Sequence, residues 1–148
     1  MAGAEVVSLS IRRIQVWCGE IPDRPGAAAS KLELVAQAGA DLEFVFTRPH
    51  RTKPDTSVLF IAPITGANQI KAARAVGIAP ALDVAMLCVE GDNRAGIGFE
   101  IMSKLAVAGI NLRGISISAL GGRFNAYLAF DNADIATQAL QLLATVFG

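Results

Sequence analysis

The chain writes one passage twice. PDRPGAAASKLELVAQAGADL runs from Pro22 to Leu42, and DNRAGIGFEIMSKLAVAGINL from Asp92 to Leu112. Arg24 matches Arg94, Gly26 matches Gly96, Ala38-Gly39 matches Ala108-Gly109 and Leu42 matches Leu112, all seventy positions apart. Glu20 and Glu90 keep that spacing, as do the two cysteines, Cys18 and Cys88. Farther on, Ile70 and Ala73 match Ala136 and Ala139 at a shorter offset. The slack falls between RPHRTKPDT in the first copy and LGG in the second. Connecting loops tolerate such length changes far better than strands or helices do. A two-copy unit of this length is longer than a solenoid repeat. The 148 residues therefore read as one small domain duplicated.

Periodicity supplies the elements of each copy. Ile14 to Ile21 and Val84 to Gly91 are short, apolar and β-rich, as strands are. A Pro/Gly/Asp/Asn break follows, and then a helical pattern. Ile97, Ile101, Leu105 and Ala108 recur at helical spacing in the second copy, and Leu32, Val35 and Ala36 in the first. Each helix closes on Ala-Gly, where the Gly suits a left-handed C-cap. DLEFVFT and NLRGISIS follow as second strands, and SVLFIAP and RFNAYLAF as third strands. Gly66 to Val76 and Asn132 to Val146 read as second helices, the latter with a buried stripe of Ile135, Ala139, Leu142, Leu143 and Val146.

The order β-α-β-β-α, plus one more strand, is the ferredoxin-like split βαβ plan. The fold class expected is α+β: two βαββαβ units forming a joint antiparallel sheet with helices on one face. The first domain is expected over 13–83 and the second over 84–148. GIAPALDV can serve as the fourth strand of the first copy, but the second copy's last helix has nothing after it. An unclaimed alternating segment at residues 5–12, EVVSLSIR, is predicted to cross over as its fourth strand, covering an open edge.

Composition narrows the function. Thirteen basic and thirteen acidic residues cancel, so no strong field draws the protein to nucleic acid or membrane. The one basic cluster, TRPHRTKP from Thr47 to Pro54, reads as a solvated hairpin loop. The sequence has no C-x-x-C, no signal-peptide pattern and no apolar run of membrane-spanning length. A cytoplasmic protein without metal or other cofactor is expected. His50, the single histidine, lies beside Pro49 in the variable hairpin and reads as an exposed bystander. Cys18 and Cys88 read as small buried hydrophobes. GIG at Gly96 to Gly98 lacks the third glycine of a dinucleotide fingerprint. Asp131 and Asp134 flank a helix start, where carboxylates act as caps and dipole complements. No pair of titratable groups suggests a catalytic site, so an enzyme is disfavoured. Leu59 with Ile61, or Val58 with Phe60, and Leu87 with Val89 make strands apolar at both parities. A homodimer stacking sheet on sheet, or a partner protein, would cover them.

A strand, then DRPGA or NRAGI, then a helix ending in AG(A/I)(D/N)L and a second strand resembles the ACT domain. ACT domains are small βαββαβ regulatory modules that bind amino acids or similar metabolites. The resemblance covers nearly the whole chain as two tandem copies. It implies an amino-acid-like effector where the two domains meet, at the turn after each first strand. Those positions are Asp23, Arg24, Pro25, Gly26 and Ala27, and Asn93, Arg94, Ala95, Gly96 and Ile97. Asp41 and Asn111, opening the second strands, border the same site in the family's pattern. Ala95 departs from it, since Pro is usual there, and AGAD in the first copy stands where AGIN is usual.

Physical chemistry supports the location independently. A helix N-terminus presents unpaired N–H groups and partial positive charge to a carboxylate. Asp23 or Asn93 can cap the helix or accept from an ammonium group, and Arg24 or Arg94 can clamp a carboxylate. The plainer alternatives are capping only, close helix–sheet packing for each Gly, and a solvent-facing Arg. The functional expectation is an effector-binding regulatory protein. The alternative is a regulatory subunit that acts by contact with a metabolic enzyme, its ligand sites vestigial.

Overall fold

The structure, a computed structural model, describes residues 8–147. It contains two compact units. The first is Gln15–Leu82, and the second joins the described residues through Ile14 to those from Asp83 onward.

In the first unit, β2 (Trp17–Pro22), α1 (Ala27–Gln37), β3 (Phe44–Pro49), β4 (Thr56–Ala62), α2 (Gly66–Ala75) and β5 (Ala79–Pro80) follow in order. The sheet order is β3-β4-β2-β5, with every neighbouring pair antiparallel. The expected fourth strand is only two residues long. Pro80 has no N–H for a ladder, so regular pairing ends there. Leu59 and Ile61 of β4 are fully buried in one core with Val35 of α1 and Ala73 of α2. Lys31 Nζ of α1 donates to Val76 O at the end of α2, 2.6 Å, satisfying a carbonyl that the helix itself leaves open.

The second unit takes its first strand from far upstream. β1 (Ser10–Ile14) pairs antiparallel with β6 (Ala85–Asp92), Ser10 opposite Glu90 and Ile14 opposite Met86. α3 (Ile97–Val107), β7 (Gly114–Leu120), β8 (Arg123–Phe130) and α4 (Ala133–Phe147) complete it, with sheet order β1-β6-β8-β7. The crossover strand therefore exists. It is centred later than the 5–12 segment, and residues 5–7 of that segment lie outside the described residues. The strands pair as two sheets of four rather than one joint sheet.

Leu87 and Val89 are covered within their own unit, by Ile101 and Leu105 of α3 and Ala139 and Leu143 of α4. Leu59 and Ile61 are likewise covered by their own helices, so none of these four needs a second chain. The α4 stripe is Ala136, Ala139, Leu143 and Phe147, while Val146 is 42% exposed. The cap of α4 is Asn132, whose Oδ1 accepts the Ile135 N–H at 2.9 Å, rather than Asp131. Both Ala-Gly endings form the expected left-handed cap. Ala40 N donates to Val35 O at 3.0 Å and Ile110 N to Leu105 O at 2.9 Å, the six-to-one bond of a Schellman motif. Among the described residues, no helix is long and apolar enough to cross a membrane.

Candidate functional site

β2 and β6 each run into the same tight turn. Ala27 N donates to Arg24 O, and Ile97 N to Arg94 O, both at 3.3 Å. The third residue of each turn is Gly in the left-handed region: Gly26 at φ 84°, ψ −9° and Gly96 at φ 85°, ψ 0°. This is a type II turn, which demands a positive φ at that position and welcomes Pro before it. Pro25 meets the preference, and Ala95 occupies the same place without it. A Cβ on either Gly would meet nothing within 4 Å. The glycines are therefore required by the turn and face open space; close helix–sheet packing does not explain them.

Gly26 and Gly96 are also the N-cap residues of α1 and α3, and neither helix receives a side-chain cap. Asp23 and Asn93 are exposed and do not cap. Their backbone N–H groups bind the neighbouring hairpin instead: Asp23 N donates to Asp55 O at 2.9 Å, and Asn93 N to Gly122 O at 2.8 Å. Ala27 and Ile97 point into the cores at 7% and 4% exposure, so only their backbones border the turns. Asp41 and Asn111 are exposed and precede β3 and β7 rather than opening them. Among the described residues, no hydrogen bond or ion pair ties either one to a turn.

The two turns differ in charge. Arg94 pairs with Glu100 in the first turn of α3. The matching position of α1 is Ser30, whose Oγ donates to Gly26 O at 3.0 Å. The first turn of α1 carries no acidic residue, and among the described residues no carboxylate pairs with the exposed Arg24. The first turn thus presents a guanidinium without a carboxylate partner among the described residues, and a carboxylate there would meet it unopposed. At the second it would compete with Glu100.

His50 is where the sequence reading missed most. Its side chain is 21% exposed and lies beside Glu20 of β2, Nε2 to Oε1 3.3 Å. Nδ1 accepts the Thr52 and Lys53 backbone N–H groups at 3.1 and 3.0 Å. Lys53 Nζ reaches both Glu20 oxygens at 2.9 Å. The hydrogen bond from Lys53 is the largest influence holding the Glu20 carboxyl below its ordinary range. Residue identity carries no signal for backbone amide partners, so the sequence could not have shown this.

Known structures share this architecture. The regulatory subunit of aspartate kinase from Thermus thermophilus, in its ligand-free form, superposes with a TM-score of 0.64 at 17% identity, over 97% of this chain and 100% of that one. A protein from Bacteroides thetaiotaomicron gives 0.73 at 11% identity, over 91% and 89%. Escherichia coli aspartokinase III, in complex with aspartate and ADP, gives 0.58 at 17% identity, over 95% of this chain and 33% of that one. No family model and no curated protein matches the sequence. The chain has the tandem ACT-type fold that its two turns suggested, the fold shared with the regulatory subunit of aspartate kinase from Thermus thermophilus.

Proposed function

We propose that the protein is a regulatory module that binds an amino-acid-like effector at its glycine turns, foremost at Asp23–Ala27. One observation carries this reading. Two helix N-termini with the same left-handed Gly cap are left open by side chains, and one of them sits beside an uncommitted Arg24. An α-carboxylate matches the exposed N–H groups and the guanidinium, and Asp23 can accept from an α-ammonium. No catalytic role is assigned to any residue.

A thermal-shift screen of the twenty amino acids tests the proposal. A ligand at a hundred times its Kd stabilises by about 2.7 kcal/mol, which raises the Tm of a chain this size by roughly 5–10 °C. No shift with any amino acid would reject effector binding and leave the second reading, a subunit that works by contact with a metabolic enzyme. Two observations favour that second reading. Phe99 and Leu120 are 72% and 88% exposed, apolar side chains that a partner enzyme or a second copy would cover, and Glu100 engages the arginine of the second turn.

A further inference from the structure

We propose that His50 is a pH-sensitive latch: while neutral it holds the β3–β4 hairpin, and through it the Asp23–Gly26 turn, in place, and on protonation it lets go of both. The ring's hydrogen bonds define its state. Nδ1 accepts two backbone N–H groups, from Thr52 and Lys53, so it carries a lone pair. The ring proton is then on Nε2, directed at Glu20 Oε1. A neutral imidazole has one donor and one acceptor, and both are used.

Protonation makes both nitrogens donors. An Nδ1–H would then face two N–H donors, and both bonds would be lost together. Thr52 Oγ1, 3.4 Å from Nδ1, offers the protonated ring one acceptor, which replaces one of the two bonds lost and leaves both amides without theirs. Among the described residues, Glu20 of β2 pairs with the ring, and Lys53 of the loop pairs with Glu20. Glu20 would attract an imidazolium, yet Lys53 Nζ already bridges both of its oxygens, so a second cation gains little there. Histidine as a side-chain type changes charge between about pH 5 and 8, and that is the range over which the latch is tested.

The latch is tied to the candidate site by one short loop. His50 N donates to Thr56 O at 2.8 Å, closing the hairpin. Between them, Asp55 adopts a left-handed φ of 55° and its carbonyl holds the Asp23 N–H. Releasing Thr52 and Lys53 frees the segment that presents Asp55. The second unit contains the control. There the hairpin is Gly121-Gly122, and Gly122 O holds Asn93 with no titratable side chain in the loop.

The test is nuclear magnetic resonance on the full chain between about pH 5 and 8. His50 should show the Nε2–H tautomer at high pH. As it titrates, the Thr52 and Lys53 amides should exchange about tenfold faster relative to their intrinsic rates, the factor one net hydrogen bond supports. Asp23 should follow and Asn93 should not. His50→Asn keeps an acceptor near Nδ1, as in an Asx turn, and should hold the amides protected at every pH. His50→Ala should leave them unprotected throughout. An Nδ1–H tautomer, or amide exchange that ignores the titration, overturns the latch.

The consequence for binding rests on the proposed function. With the amino acid that gives the largest thermal shift as probe, Kd should rise by up to about tenfold across the His50 titration, the limit set by one net hydrogen bond, and stay flat in His50→Asn. If no amino acid stabilises the protein, the functional reading fails while the amides still decide the latch. If binding is present but equally pH-dependent in both proteins, the coupling fails and the functional reading stands.

Discussion

Replacing Leu9 by Ala tests whether the upstream strand belongs to the downstream unit. Leu9 is 7% exposed and shares a core with Phe124, Leu128 and Phe147. Its N–H donates to Phe147 O at 3.3 Å, and its Cδ2 lies 2.7 Å from where a Cβ on Gly91 would stand. Leu→Ala in a core costs about 2–5 kcal/mol. Leu9 is at the rim of its cluster, next to exposed Ser8, where neighbours can partly close the gap, so about 2–3 kcal/mol is expected. That lowers Tm by roughly 5–10 °C. The assay is urea unfolding followed by far-ultraviolet circular dichroism and by tryptophan fluorescence. The single Trp17 is buried in the core of the first unit, and the single tyrosine, Tyr127, lies in the second. If the units unfold separately, the circular dichroism curve gains an earlier transition and the Trp17 midpoint does not move. If they unfold together, both curves shift. Leu82→Ala, at a position 93% exposed, should stay within about 0.5 kcal/mol. A Leu9→Ala protein as stable as the parent, or one whose loss appears only in the Trp17 transition, would refute the assignment.

Gly19→Ala should destabilise the first unit by about 1–3 kcal/mol, because the new Cβ would stand 2.8 Å from the backbone oxygen of Gly77; Trp17 fluorescence reads the loss. Gly26→Ala and Gly96→Ala should each cost about 1–2 kcal/mol through the left-handed turn, although space is open around both, and Gly26→Asn should cost less; thermal melts decide. The Glu20 carboxyl is held low chiefly by its hydrogen bond from Lys53, against a reference value of 4.5. Its contribution is therefore present above that reference and lost as pH falls through the depressed folded value. Glu20→Gln should remove this part of the acid sensitivity, seen as a flatter Tm-against-pH curve below about pH 4.5.

The architecture was legible because duplication leaves a mark that no single element does. The seventy-residue offset placed both turns and both left-handed helix endings, and it pointed to an upstream strand that the structure puts at Ser10–Ile14 rather than 5–12. Local errors came from forces outside a sequence window. Val146 and Phe147 are adjacent and equally apolar, and only the packing of α4 selects Phe147. Asp131 and Asn132 both cap well, and the helix start decides between them. Leu87 and Val89 looked in need of a partner because periodicity cannot say which helices lie over which strand. Asp23 and Asn93 looked like caps, but the type II turn gives that place to Gly26 and Gly96. His50 is held by backbone amides of its own loop, and amides leave no trace in residue identity.

The most direct test is a nuclear magnetic resonance titration of the full chain with the amino acid that stabilises it best. The account predicts saturable amide shifts led by residues 23–27, with 93–97 responding more weakly behind the Arg94–Glu100 pair. Shifts confined to other parts of the sheets, or none at saturating ligand, would contradict it.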